Sequence, residues 1–192
     1  MVLPIVAYGS PILRKVCEEI TPDYNGLETL IADMWETMYN SNGVGLAAPQ
    51  VNKPIRLFTI DSEQIFLHQE EDEKGQYPDE PGFKGVFINA QITGLNGKEW
   101  SYNEGCLSIP KIREDICRNQ ELILDFLDEN FRPHTRSFNG LTARVILHEY
   151  DHIDGKLFID HLKPLKRKLL KGRLDDISRG KIKVDYRMVF PK

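Results

Sequence analysis

The clearest periodic pattern in the chain is an apolar stripe between residues 27 and 38. Its members are Leu27, Leu30, Ile31, Met34, Trp35 and Met38. Spacings of three and four residues place side chains on one face of an α-helix. Asn42 and Gly43 follow, and both residue types commonly end helices. The pattern therefore predicts an amphipathic helix whose apolar face belongs to the core.

Short apolar runs elsewhere predict β-strands. Residues 55–60, 86–92 and 121–127 are rich in Ile, Leu, Phe and Val and are bounded by residues that favour turns. Residues 162–177 have a helical pattern, and from Ile182 to Phe190 apolar side chains alternate with mostly polar ones. We therefore expect an α+β fold with small mixed or antiparallel sheets, in which the chain ends as a helix followed by a strand.

Composition is that of an ordinary globular protein, with 41% apolar and 28% charged residues in 192. This length allows a single domain with a substantial core and no disulfides. Three cysteines, with no secretory signal pattern in Met1–Ser10, lead us to expect a reducing compartment, and without an Arg/Ser-rich pattern there we expect the bacterial cytoplasm. The chain has no apolar run of membrane-spanning length. A net charge of −4 argues against specific DNA binding.

Charge is distributed unevenly along the chain. Residues 61–82 carry eight acidic side chains and one lysine, and we interpret them as a solvated insertion loop within a single domain of residues 1–192. Residues 163–192 carry eleven Lys or Arg against three Asp, so the chain ends in a basic tail. A solvated helix face is the simpler interpretation of this tail, and contact with a charged partner is the alternative.

The segment between Asn139 and Gly155 carries the strongest chemical signal. It contains His148 and His152, four residues apart, with Glu149 between them. Residues at that spacing lie on one helix face, so both imidazoles can reach a single ion. We predict a metal-binding helix that has Asn139 as its N-cap and ends at Gly155.

A catalytic centre of the zinc type needs a third protein ligand. Phe158 stands where one protease class has a third histidine, and His161 is out of phase with the histidine pair. The remaining soft ligands are Cys17, Cys106 and Cys117. Of these, only Cys106 lies in a segment with unusual backbone chemistry, between Gly105 and Pro110. By itself this thiol would more often be a small buried side chain.

A third segment, residues 43–50, is rich in Gly and Ala and ends in Gln50. It lacks the Gly-Lys-Ser/Thr ending of a phosphate loop, which argues against nucleotide binding. Its small side chains would let the backbone line a narrow cleft, and the Gln50 amide can donate a hydrogen bond to an oxygen. A simple tight turn is the alternative interpretation.

Together these segments resemble the peptide deformylases, which remove the formyl group from N-formylmethionine on new bacterial and organellar chains. Residues 43–50, 104–110 and 148–155 are similar to the three motifs of that family, in the same order and spacing. The resemblance implies small sheets around a central metal-binding helix, and a metal-dependent hydrolase that acts on N-formylmethionyl nascent peptides and releases formate. Leu147 departs from the common family residue, and Tyr150 fills a variable position.

The resemblance assigns Cys106, His148 and His152 as the metal ligands. Such a set suits Zn(II) or Fe(II) and leaves one position open for water. Deformylases favour Fe(II), with zinc, nickel or cobalt as substitutes, so we expect iron in the cell. Some relatives end in a basic helix that docks on the ribosome, which makes the tail a candidate ribosome contact. The tail residues concerned are Lys166, Arg167, Lys168 and Lys171.

The resemblance also implies roles for the surrounding residues. Glu149 would transfer protons, while the Gln50 side chain and the Leu107 backbone N–H would stabilise an oxyanion. Glu104 would support the site through an ion pair with Arg118. The candidates for substrate binding are Val44, Gly45, Leu46, Glu104, Gly105, Leu141, Arg144 and Val145. Among these, we expect Gly45 and Leu46 to form the wall that refuses acyl groups larger than formyl.

Two other functions stay open on the sequence. A small metallopeptidase also uses a His-Glu-x-x-His helix, although its usual third ligands are absent here. A non-catalytic metal-binding or ribosome-binding module would instead hold a structural ion. Structural sites normally have four protein ligands, and the sequence offers three.

Overall fold

The computed structural model describes residues 1–67, 79 and 81–191. Its strands are β1 (Ile5–Val6), β2 (Gly45–Ala47), β3 (Leu57–Asp61), β4 (Lys84–Cys106), β5 (Ile109–Leu127), β6 (Pro133–Asn139) and β7 (Met188–Val189). Strands β2 to β6 form one antiparallel sheet in chain order. A separate small sheet pairs β1 with β7 in parallel.

Most of the remaining regular structure in the described part of the chain is helical. The α-helices are α1 (Leu27–Asn40), α2 (Glu63–Leu67), α3 (Gly140–Ile153) and α4 (Pro164–Ser178). Along α3 every residue is buried except His148 and Tyr150, which are partly buried. The predicted α+β fold, with mixed or antiparallel sheets packed around a central helix, is confirmed.

Helix α1 forms from the apolar stripe, as predicted. Leu30, Met34 and Met38 on its inner face pack with Leu46 and Leu57 of the sheet. The helix ends where the sequence indicates, because the Gly43 N–H donates to the Met38 carbonyl at 2.9 Å. This turn delivers residues 43–45 directly to the edge of the sheet.

The sheet is longer than the sequence pattern indicates. Strands β4 and β5 contain the predicted segments 86–92 and 121–127 but extend well beyond them as one long hairpin. Past Ile92 most side chains of β4 are partly or fully exposed, so no apolar run marks the strand there. The hairpin turns at Leu107 and Ser108, directly after Cys106.

The tail follows the prediction only in part. Helix α4 is present, but the predicted strand over 182–190 is reduced to Met188–Val189. Its main-chain partner is β1, which is itself two residues long, so pairing stops there. The segment before this strand is irregular, although Ile182 in it and Phe190 just after the strand still pack against the core.

The acidic segment is not simply a solvated loop. Asp61 ends β3, and Glu63–Leu67 forms α2 with Phe66 buried, because the first residues of the segment still pack on the core. Residues 68–78 and 80 lie outside the described residues, so the loop interpretation there stays a prediction. No helix within the described ranges is long and apolar enough to cross a membrane.

Asp79, from the same acidic segment, caps the amino end of α3. Its carboxylate accepts hydrogen bonds from the N–H groups of Thr142 at 2.6 Å and Leu141 at 3.2 Å. Asn139 occupies the predicted N-cap position, but its side chain makes no capping bond. Gly140, the residue after Asn139, has φ of +57°, and a Cβ on it would fall 1.9 Å from the Asp79 carboxylate. The acidic segment therefore contacts the helix that carries the histidines.

Replacing Asp79 with Ala is expected to lower the free energy of unfolding by about 0.5–2 kcal/mol, because two N–H groups lose their acceptor. The negative charge at the positive end of the helix dipole is lost as well. Urea denaturation of wild type, Asp79→Ala and Asp79→Asn gives the comparison. The asparagine variant keeps an acceptor oxygen and should lose less. Equal stability of all three proteins would show that the cap contributes nothing.

Candidate metal centre

Three side chains from two elements converge beside the hairpin turn. Cys106 ends β4, while His148 and His152 lie one turn apart on α3. One potential ligand atom from each residue lies within 4.8 Å of the others. The Sγ of Cys106 is 3.2 Å from Nε2 of His152. The three residues that the motifs single out are therefore adjacent in space.

The electrostatics of the cluster favour a positive charge among its ligand atoms. Burial alone would raise the pKa of Cys106, but His152 and His148 outweigh burial and lower this pKa to about 5. Burial would lower the pKa of His148, yet Cys106 and Glu104 raise it well above its usual value. A thiolate is the form of cysteine that binds metals. The donor set thus fits a divalent cation.

Glu104 orients the first histidine. Its carboxylate lies 3.0 Å from Nδ1 of His148, which leaves Nε2 of that ring to face the cluster. Arg118 donates to both oxygens of the same carboxylate, at 2.7 and 3.0 Å, so the ion pair that the resemblance implied is present. Burial would raise the pKa of Glu104, but His148 and Arg118 hold it well below its usual value. Carboxylate support of this kind fixes the orientation of metal-binding histidines.

The rest of this network was not predicted from the sequence. Arg118 also donates to Asp151 at 2.7 Å, and Nε2 of His161 lies 2.7 Å from the same Asp151 oxygen. Asp151 directly precedes His152 on a helix that is buried almost throughout. A carboxylate on a buried helix requires a charged or hydrogen-bonding partner. The sequence could therefore have indicated that Asp151 has such a partner. The network locks α3 to the β4–β5 hairpin on which Cys106 lies.

Glu149 lies against the glycine-rich segment. Only 4% of Glu149 is exposed, and within the described part of the chain its Oε2 has no hydrogen-bond partner. A Cβ on Gly45 would fall 2.4 Å from Oε1 of Glu149, so only glycine allows this approach. Burial raises the pKa of Glu149 to about 7. A buried carboxyl group with an unpaired oxygen is thus directed into the site.

Gln50 has a fixed orientation. Its Oε1 accepts a hydrogen bond from the Ala47 N–H at 2.8 Å. Its Nε2 then lies 3.5 Å from Sγ of Cys106 and 3.3 Å from Oγ of Ser108. The amide donor therefore points toward the cluster, as the candidate role requires.

A cavity of about 700 Å³ opens beside these groups. Cys106, His148 and Glu149 line it, and His152 lies buried behind them. The other predicted site residues that line it are Val44, Gly45, Gln50, Glu104, Gly105, Leu107, Leu141, Arg144 and Val145. The Leu46 side chain instead packs in the core with α1. Successive residues of a strand face opposite sides of the sheet. Of the two residues predicted to form the wall, Gly45 therefore faces the cavity and Leu46 does not.

Arg144 lines the cavity but its guanidinium is bound elsewhere. It donates to Glu104 at 2.9 Å and to the carbonyls of Ile116 and Trp100 at 3.0 and 2.7 Å. It also lies over the Trp100 ring, 4.7 Å from the centroid. Its charged group therefore belongs to the buried network, which leaves Leu141 and Val145 as the apolar wall on α3.

The two departures from the family pattern lie outside the ligand set. Leu147 is buried in the core between α3 and the sheet. Tyr150 is partly buried and lies under the guanidinium of Arg56, 5.4 Å from the ring centroid. Neither side chain is part of the metal-ligand cluster.

Comparison with known proteins identifies one family for this chain. A family model described as polypeptide deformylase matches residues 2–168. The chain belongs to this family. Deformylases remove the N-formyl group from nascent peptides, so the expected enzymatic activity and family are confirmed. The family and the three-ligand cluster together imply a metal ion.

Individual deformylases resemble the chain over nearly its full length. A peptide deformylase from Flavobacterium psychrophilum is 54% identical over 188 residues, which cover 98% of this chain and 96% of the relative. One from Christiangramia forsetii is 51% identical over 191 residues, covering 100% and 97%. The crystal structure of a peptide deformylase from Legionella pneumophila has a TM-score of 0.77 at 32% identity, covering 94% of this chain and 98% of that one.

Proposed function

We propose that Cys106, His148 and His152 hold one divalent cation and that the residues around it hydrolyse the formamide of N-formylmethionyl peptides. The observation that carries this proposal is the convergence of the three ligand atoms within 4.8 Å, beside the buried carboxyl group of Glu149. When bound, a cation in such a centre supplies Lewis-acid chemistry, which can lower the pKa of water to roughly 7. Three protein ligands and one open position are typical of a catalytic site.

Glu149 is proposed to move the proton. It takes a proton from the water whose oxygen attacks the formyl carbon, and delivers it to the nitrogen as the carbon–nitrogen bond breaks. The products are formate and a peptide with a free methionine amino group. The unpaired Oε2 of Glu149 supports this role, because a buried carboxyl group with no partner on that oxygen among the described residues is free to take up and release a proton in the site.

Gln50 and Leu107 are proposed to stabilise the oxyanion that forms as water adds. The Gln50 amide is already directed toward Cys106 by its bond from the Ala47 N–H. The Leu107 N–H lies in the turn directly after the same cysteine. Hydrogen-bond donors that are fixed before the reaction stabilise developing charge at little reorganisation cost.

Gln50→Ala is expected to lower kcat by about 10²–10³-fold, the usual effect of removing one oxyanion donor. Metal content should not change, because Gln50 is not in the ligand cluster. Steady-state assays and metal analysis of the variant test this expectation. Gln91→Ala is the control, since Gln91 is exposed on β4 and bonds Glu19 instead. A Gln50→Ala enzyme with wild-type kcat would remove Gln50 from the mechanism.

The cavity is proposed to select the substrate by shape. Val44, Leu141 and Val145 supply apolar walls for the methionine side chain, whose burial contributes roughly 1.5–3 kcal/mol. Glu149 packs so closely against Gly45 that a Cβ on Gly45 would collide with it. We propose that the part of the cavity next to these two residues is correspondingly narrow. We expect this narrowness to exclude acyl groups larger than formyl.

Release of formate from formyl-Met-Ala-Ser is the experiment that tests this function. The metal-loaded protein should hydrolyse this peptide and leave acetyl-Met-Ala-Ser intact. It should also leave internal bonds of peptides with blocked ends intact, which distinguishes it from a metallopeptidase. Absence of formate release by protein with one metal per chain would overturn the proposal.

Iron is the metal we propose for the cell. A thiolate with two imidazoles accepts Fe(II) as well as Zn(II), Ni(II) or Co(II), and iron is the native ion that the family resemblance implies. Protein purified without oxygen should contain about one iron per chain and lose activity in air. Tightly held zinc with full activity would contradict this assignment.

The whole chain is proposed to act as one catalytic domain in the bacterial cytoplasm. Its basic tail is proposed to contact the ribosome. Lys166, Arg167, Lys168 and Lys171 are all exposed on α4. Leu165 and Leu169 on the same helix are 71% and 75% exposed, so the surface is both basic and apolar. Co-sedimentation with ribosomes at low salt should be lost at high salt, and no binding at low salt would end this part of the proposal.

A further inference from the structure

The carboxyl-terminal segment returns to the catalytic cleft after α4. It is anchored by the first strand of the chain, because the N–H groups of Ile5 and Ala7 donate to the carbonyls of Arg187 and Val189, each at 2.8 Å. Ile182 and Phe190, on either side of these bonds, pack against the core. The segment is therefore held on both sides of Tyr186.

Residues 183–186 of this segment line the same cavity as Cys106 and Glu149. At its end, the Tyr186 hydroxyl donates to the carbonyl oxygen of Leu107 at 2.8 Å. Tyr186 is partly buried where it makes this bond. The hydroxyl thus binds the turn that directly follows the metal-ligand cysteine.

Two further contacts hold that turn. The Tyr8 N–H donates to the carbonyl of Ser108 at 2.9 Å. The Ser108 hydroxyl accepts a bond from Gln50 at 3.3 Å. The carbonyl of Leu107 is thus bound by the carboxyl-terminal segment, and the carbonyl of Ser108 by the amino-terminal segment. Since β1 and β7 pair with each other, the two terminal segments form one clamp on the turn.

We propose that Tyr186 is a positioning residue for the reaction. By fixing the Leu107 carbonyl it restricts rotation of the backbone at Leu107 and keeps the N–H of that residue directed at the oxyanion. The inference rests on the proposed role of the Leu107 N–H. It concerns a residue beyond the family match, which ends at residue 168. Small misplacements of a catalytic group are costly, about 10²-fold for 1 Å.

Tyr186→Phe is the test, because it removes the hydroxyl and leaves the ring in place. We expect kcat per bound metal to fall by about 3–30-fold, part of the loss seen when an oxyanion donor is removed outright. KM for formyl-Met-Ala-Ser and metal content should stay at wild-type values, and the variant should remain fully folded under the assay conditions. Amide hydrogen exchange of residues 105–110, followed by mass spectrometry, should become faster.

Tyr8→Phe is the matched control. It alters the other arm of the clamp, but Tyr8 contacts the turn through its main-chain N–H, which the substitution keeps. Its kcat and its exchange at 105–110 should equal those of wild type. Wild-type kcat in Tyr186→Phe would overturn the inference, and so would a loss explained entirely by lower metal content or stability. A wild-type protein that releases no formate would instead overturn the proposed function.

Discussion

Glu149→Gln is expected to leave a folded, metal-binding protein that releases formate about 10²–10⁴ times more slowly, the range typical of a lost general acid–base group. Glutamine has nearly the same shape, so the close contact with Gly45 is kept. It cannot take a proton from water or deliver one to the departing amine. The expected loss therefore lies in kcat rather than in the fold.

Formate assays at saturating peptide, metal analysis and circular dichroism together measure this effect. Glu129→Gln is the control, because Glu129 is an exposed carboxylate that neither belongs to the metal-ligand cluster nor lines the catalytic cavity. It should match wild type in every measurement. A Glu149→Gln enzyme that keeps more than a tenth of wild-type kcat, with full metal content, would assign proton transfer to another group.

Arg118→Met is expected to reduce the free energy of unfolding by about 3–5 kcal/mol, the usual cost of removing one partner from a buried ion network. Arg118 donates to both Glu104 and Asp151, and both carboxylates are buried. Methionine would fill much of the volume but would leave these two charges with fewer partners. The same substitution should weaken metal binding, because Glu104 orients His148.

Urea unfolding of the metal-free protein isolates the contribution of the network from that of the ion. Arg113→Met is the control, since Arg113 is exposed and bonds the neutral Asn103. Exposed substitutions of this kind usually change stability by no more than about 0.5 kcal/mol. Equal unfolding free energies for the two variants would mean that the buried network does not stabilise the fold.

The site was largely predictable because its ligands lie on regular elements with simple geometry. A helix places residues four apart on one face, so His148 and His152 converge whatever surrounds them. Cys106 was harder to assign, because the sequence alone does not bring a distant cysteine to that helix. Its assignment came from the resemblance, and the hairpin that carries it extends through a segment with little apolar signal.

The contacts that the sequence did not indicate are long-range and polar. The Asp79 carboxylate caps α3 although it lies 63 residues before Thr142 in the sequence, and the adjacent Asn139 makes no capping bond. The Tyr186 hydroxyl reaches a turn that lies 79 residues earlier. Such bonds depend on how distant elements pack, and no local periodicity encodes them. The orientation of Leu46 could not be predicted either. The register of β2 determines that Gly45, and not Leu46, faces the cavity.

X-ray absorption spectroscopy of the metal-loaded protein tests the central claim most directly. The account predicts one sulfur and two imidazole nitrogens around the ion, at about 2.3 Å and 2.0–2.1 Å for zinc, with a light-atom ligand that exchanges with solvent. Cys106→Ser should remove the sulfur signal. A spectrum without sulfur, or with a fourth protein ligand and no exchangeable position, would contradict a hydrolytic centre built on Cys106, His148 and His152.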